Sequence, residues 1–286
     1  MQKIVKYSFY FGIFICLFAI ILILATNAYL KPSLPKVKLV DEAELQMPLK
    51  VYTKDGILIG EFGEIKRRPT TFTEIPENIK NAFLAAEDDN FFNHQGISYT
   101  GLIRSFIRCL RPSGCEGGGG TITMQVVRGY LLTREQTVIR KIKEIFLALE
   151  LEGNLEKEEI FELYVNRIFL GNRSYGIEAA ANTYFDKNIK ELSISESATI
   201  AALAQLPSRV NPVKDPRRTK LRRNWILSRM LSLGYIDEIQ YKEALFQDLK
   251  IANNINLYDV EANYISELAR QDIINRYGLR AYKEGW

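Results

Sequence analysis

The chain has 286 residues, of which 47% are hydrophobic, and that suffices for roughly two domains of ordinary size and a sizeable core. A net charge of +4 is too small to argue a nucleic-acid partner. The lone histidine, His94, excludes metal sites built from histidine pairs and relays that need a second histidine. From Tyr7 to Leu30 no residue is charged, and Phe9 to Leu24 is almost wholly Ile, Leu, Phe and Ala. Such a run can cross a hydrocarbon layer of about 30 Å as one helix. A cleaved signal peptide is the other reading, but its apolar region is normally shorter and Ala25-Thr26-Asn27-Ala28 is a poor cleavage site. Residues 1–30 therefore read as a short tail and a transmembrane anchor. Lys3 and Lys6 precede it and Lys31, Lys36 and Lys38 follow, so charge alone leaves its orientation open.

Residues 31–50, with three prolines, mixed charge and no sustained period, read as a juxtamembrane linker. Val51 to Thr53 and Ile57 to Ile59 flank Lys54-Asp55-Gly56, which predicts a β-hairpin, because Asp-Gly supplies the positive φ that tight turns need. From Glu77 onward the pattern is helical nearly to the end. It breaks at Gly96, Pro112 to Gly120, Gly153-Asn154, Gly171 to Gly176 and Pro207 to Pro216. The expected class is mainly α, with residues 51–250 as one domain.

Glu87-Asp88-Asp89 ends the apolar helical run Ile79, Ala82, Phe83, Ala86, and Phe91 and Phe92 follow at once. Acids are poorly placed at a helix C-terminus, where the macrodipole favours cations. Either the stretch is a solvated turn, or a carboxylate is held beside apolar walls that raise its pKa toward a general base's range. Further on, Gly117 to Gly120 lead into a helix on which Thr121, Gln125 and Arg128 fall on one stripe, at i, i+4 and i+7. The glycines could bare backbone N–H groups to an anion, although the Gly-Lys-Ser/Thr ending of a nucleotide loop is missing. The stripe could be a solvent face, yet it has neither lysine nor glutamate.

In the next helix Ile142, Ile145, Phe146 and Leu149 share an expected core face, with Arg140 and Glu144 one turn apart on the other side. This pair is either an ordinary ion pair worth a few tenths of a kcal/mol or part of a site. The surrounding third is strongly basic (Arg104, Arg108, Arg111, Arg128, Arg134), which suits a phosphorylated substrate.

EDDNFFNHQG, GGGGTITMQ, RKIKE and the run from Lys157 to Phe185 resemble successive motifs of the peptidoglycan glycosyltransferases. These are the polymerase module of class A penicillin-binding proteins and of monofunctional transglycosylases. Leu206 to Pro212, and Arg222 with Ile226-Leu227, resemble the last motifs, and the likeness runs in order from about Val51 to Tyr264. Three positions depart from the family pattern: Gly120 stands for its usual serine, Met124 for its first glutamine and Arg128 for its lysine.

The resemblance implies a lysozyme-like fold and an inverting transfer. The 4-hydroxyl of an incoming lipid II attacks the anomeric carbon of a growing glycan held on undecaprenyl pyrophosphate. Glu87 matches the family's base. Glu144 is expected on the leaving-group side with Arg140, Lys141 and Arg128, either directly or through a divalent cation, Mg or Mn; no other cofactor is expected. Asp88, Phe91, His94, Thr121 and Gln125 complete the expected substrate site, with His94 shaping the loop that holds Glu87. The expected place is the inner membrane, single-pass, with the catalytic domain in the periplasm among other cell-wall synthesis proteins. On that exported side Cys109 and Cys115, with five residues between them, could form a disulfide worth roughly 2–3 kcal/mol in the chain-entropy model, or remain free thiols.

Residues 251–286 resemble the start of a linker toward a transpeptidase domain, and the chain is expected to be a fragment or a truncated reading frame. Its lone Ser-x-x-Lys match, Ser33 to Lys36, lies in the juxtamembrane linker and there is no Lys-Thr-Gly. The rival expectations are a glycan-cleaving lysozyme-like enzyme and a non-catalytic assembly partner.

Overall fold

The structure, a computed structural model, describes residues 10, 49–56, 58–62, 69–101, 120–132, 138–172, 174–207, 209–252, 268–269, 271–273 and 276. The expected anchor (apart from Tyr10), nearly all of the linker, the Cys109–Cys115 pair, Gly117 to Gly119 and most of 251–286 lie outside the described residues. Among the described residues no helix is long and apolar enough to cross a membrane.

Strand β1 (Leu49–Tyr52) pairs antiparallel with β2 (Leu58–Phe62), with Leu49 opposite Phe62 and a register irregularity between Val51 and Tyr52. The turn closes with Gly56 at φ 84°. The rest of the described fold is helical, as the sequence predicts. In chain order come α1 (Glu77–Glu87), a 3-10 turn (Phe91–Asn93), α2 (Ile122–Tyr130) and α3 (Val138–Glu152). They are followed by α4 (Lys157–Arg167), α5 (Ile177–Phe185), α6 (Ile194–Leu203), α7 (Pro216–Ser232) and α8 (Glu238–Phe246).

Helix α6 is the centre. Its residues from Ser195 to Leu203 are all buried, and most are small. A helix buried all round needs short side chains if neighbours are to approach on every face. Helices α1 and α7 pack against it and against each other. Most of its polar groups are satisfied locally: Ser193 caps it, Thr199 Oγ1 donates to Ser195 O at 2.7 Å, and Glu196 accepts from Lys187 Nζ at 2.8 Å, whereas the buried Ser197 Oγ has no partner among the described residues. A second group forms where α2 packs on α3 and α4. Between the two groups lies an aromatic cluster in which Phe83, Phe91, Phe161 and Tyr164 meet edge-on or tilted.

Arg223 of α7 is the largest fully buried side chain. Its guanidinium donates to Ser195 Oγ at 3.1 Å, Gln247 O at 3.1 Å and Leu245 O at 3.0 Å, so it ties α6 and the end of α8 to α7. Burial lowers its pKa, and nearby Asp248 opposes that shift. A methionine here would fill the volume but strand three acceptors. Arg223→Met should therefore lose about 3 kcal/mol or more in denaturant unfolding. A loss below about 1 kcal/mol would mean these bonds are replaced by water.

Candidate active site

Helix α1 ends in three acids whose surroundings differ. Asp88 is buried and saturated. His94 Nε2 lies 2.9 and 3.1 Å from its two oxygens, and the backbone N–H of Ile122 donates to Oδ2 at 3.1 Å. Because a carboxylate only accepts, Nε2 is the protonated ring nitrogen. Asp88 thus closes the 88–94 loop and also satisfies an orphan donor at the start of α2. Asp89, by contrast, is exposed and pairs with Arg229 of α7.

Glu87, which precedes both, has one direct side-chain partner, Gln125 Nε2, which donates to Oε2 at 2.9 Å. Burial pushes its carboxyl pKa above the usual range. The Gln125 bond and the charges of Arg222 and Arg128 pull it back only in part, and Asp88 adds a further upward push. The solvated-turn reading of this stretch is thereby set aside for Glu87 and kept for Asp89.

The stripe on α2 meets solvent only at Arg128; Gln125 is half-buried and Thr121 is buried. Thr121 is its N-cap: the side chain accepts from Met124 N at 3.2 Å and donates to Gly96 O at 2.6 Å. It is therefore structural and buried, while Gln125 and Arg128 address Glu87. Gly96 needs its φ of 76°, and a Cβ there would stand 2.9 Å from Ala148 O. Met124 is buried in the core, off the stripe. At Gly120 a Cβ would meet Lys141 Nζ at 3.7 Å, an ordinary contact, so the start of α2 lies against the cationic part of α3.

On α3 the expected faces are reversed. Glu144 is only 1% exposed, on one arc with buried Leu147, Ala148 and Leu151, whereas Leu149, expected in the core, is 42% exposed. Positions 144, 147, 148 and 151 are themselves an i, i+3, i+4, i+7 set, so two apolar arcs competed and the smaller one packs. Lys141 Nζ donates to Glu144 Oε2 at 2.9 Å, and Arg140 Nε lies 3.5 Å from Oε1. A cation N-terminal to its glutamate is the weaker order for helix stability. A site function accounts for it better than helix stabilisation does. The surroundings do not suit a divalent cation: Glu144 is one carboxylate between two cations. Among the described residues no group of three metal-binding side chains exists.

Two further residues belong to the Glu87 environment. Arg222 of α7 feels the Glu87 charge, reaches Ala86 O at 3.5 Å and lies 4.1 Å over the Trp225 ring. Tyr164 of α4 is buried and its hydroxyl has no partner among the described residues. Burial first, then the Glu87 charge, pushes its pKa well above 10, so it stays protonated. The signal for Arg222 was its place in the last motif. For Tyr164 there was none beyond its inclusion in the Lys157–Phe185 run.

The described fold is mainly helical and holds two carboxylates, Glu87 and Glu144, in unlike surroundings. The family model described as Transglycosylase matches residues 55–231, and the chain belongs to that family. It is 50% identical over 258 residues to penicillin-binding protein 1A of Pseudomonas aeruginosa, covering 90% of this chain and 31% of that protein. Against penicillin-binding protein 1A of Escherichia coli the identity is 39% over 285 residues, 100% of this chain and 34% of the relative. The crystal structure of penicillin-binding protein 1A from Haemophilus influenzae matches with a TM-score of 0.55 at 34% identity, over 85% of this chain and 26% of that one. The chain thus spans about a third of the length of the curated relatives it matches.

The raised pKa of Glu87 has a cost in stability. Between the ordinary value of about 4.5 and the raised one, the folded state holds more protons than the unfolded state. Stability therefore falls as pH rises through that window, and the penalty persists above it. Glu87→Gln keeps the contact with Gln125 but removes the buried charge. The variant should melt above the wild type near neutral pH, and the difference should vanish below about pH 4.5. A variant that melts lower at neutral pH would show that attraction to Arg222 and Arg128 outweighs burial.

Proposed function

We propose that this chain is a peptidoglycan glycosyltransferase that polymerises lipid II into β-1,4-linked glycan and releases undecaprenyl pyrophosphate. The observation that carries the reading is the raised pKa of Glu87, in a carboxyl held by Gln125 and bordered by Arg128 and Arg222. Glu87 takes the proton of the acceptor's 4-hydroxyl as that oxygen bonds to the donor's anomeric carbon. The anomeric carbon–phosphate oxygen bond breaks with inversion, and the electron pair leaves on the pyrophosphate.

Cations must meet that developing charge. Lys141, Arg140 and Arg128 supply it, with Glu144 fixing the first two on α3. On this reading the cations do the work for which a divalent ion was expected. Asp88, His94 and Thr121 position the base and do not touch the reacting atoms, and Phe91, fully buried beneath Lys157, packs the core behind them rather than meeting substrate. An anchor at residues 1–30 would keep the domain in the same membrane plane as both lipid-linked substrates, on the periplasmic side.

General-base assistance is worth about 10²–10⁴ in rate. Glu87→Gln should therefore lose that much turnover on labelled lipid II, with binding of moenomycin, which resembles the lipid-linked donor, kept within a few fold. Arg140→Ala should weaken donor and moenomycin binding together. Polymer from Glu87→Gln at near the wild-type rate would overturn the assignment of the base. Shortening of preformed glycan by the wild type, without polymer, would support a lytic enzyme instead.

A further inference from the structure

Along α7, Arg222, Trp225 and Arg229 fall at i, i+3 and i+7 and form one ridge. Both arginines reach the acidic end of α1: Arg222 touches Ala86 O and feels Glu87, and Arg229 pairs with Asp89. Trp225 lies between them. The Arg222 guanidinium is stacked 4.1 Å from its ring, yet the indole remains 44% exposed. The core-facing side of α7 is Thr219, Arg223, Ile226, Leu227 and Met230, so burial does not explain a tryptophan at 225. A large aromatic left half open, and fixed in orientation by a cation that itself feels the Glu87 charge, has the form of a recognition anchor.

The geometry points to Trp225 as a stacking platform for a saccharide ring, the one whose hydroxyl Glu87 deprotonates. The apolar C–H face of a pyranose lies flat on an indole, and its hydroxyl edge would turn toward the end of α1. Arg222 couples the two: it holds the indole with its π-face and lowers the Glu87 pKa with its charge. This rests on the proposed glycosyl transfer and adds to it a determinant of acceptor-sugar binding outside the two glutamates.

The chain has two tryptophans, Trp225 and Trp286, so a Trp286→Phe chain reports on Trp225 alone. Titration of that protein with the soluble, lipid-free disaccharide–pentapeptide and its short oligomers should give a saturable change in fluorescence. In lipid II polymerisation, Trp225→Ala should raise KM about five- to tenfold, with kcat within about twofold. Moenomycin affinity should be unchanged and Trp225→Tyr should restore most of the loss. Trp225→Leu keeps apolar bulk, so it should behave like the alanine variant if stacking matters, and thermal unfolding of each variant separates folding loss from binding loss.

An unchanged KM in folded Trp225→Ala, or full rescue by leucine, would overturn the platform. So would a fluorescence response only to anionic phospholipid vesicles, since that would mark a lipid surface. A wild type inert toward lipid II would contradict the polymerase reading separately, because the glycan titration needs no turnover.

Discussion

The site depends on Asp88. Its two oxygens take His94 Nε2 and the N–H of Ile122, so one side chain joins the end of α1, the following loop and the first turn of α2. That junction sets Gln125, one turn further along α2, against Glu87. Gly96 and Thr121 brace the same joint from the other side through a 2.6 Å bond, with Ala148 of α3 pressed close. The adjacent glutamate is thereby left almost without partners. A base must be under-satisfied, because every bond to its carboxylate lowers its affinity for a proton.

The two glutamates divide the chemistry by environment. Glu87 lies where burial outweighs attraction, so it gains proton affinity and costs the fold stability when ionised. Glu144 is still more buried but bonded to Lys141 and flanked by Arg140, an environment suited to holding cations. Two carboxylates pushed toward different tasks by their neighbours is a general arrangement for acid–base and electrostatic work in one cleft. Tyr164, kept neutral beside Glu87, has a hydroxyl with no hydrogen-bond partner among the described residues.

Local rules were legible in the sequence where one force dominated. The helical pattern from Glu77 and the acid cluster at a helix end could be read because hydrophobic period and macrodipole each make a clear demand. On α3 the period failed. Two apolar arcs exist, and the one that packs, with Leu147, Ala148 and Leu151, carries Glu144 inward. Thr121 looked like a member of a binding stripe because a cap and a ligand-facing residue share the same spacing. Arg222 and Tyr164 come from helices distant in the chain and reach Glu87 only through the α1–α6–α7 and α2–α4 packing, which no local pattern contains.

Burial holds Glu87 above the ordinary carboxylate range, with Gln125 as the main brake. The acid limb of kcat/KM for lipid II polymerisation reports the free enzyme's base. In the wild type this limb should lie above about 4.5, and in Gln125→Met it should be displaced further upward. A wild-type limb at or below that value, or one that Gln125→Met leaves in place or moves down, would contradict it.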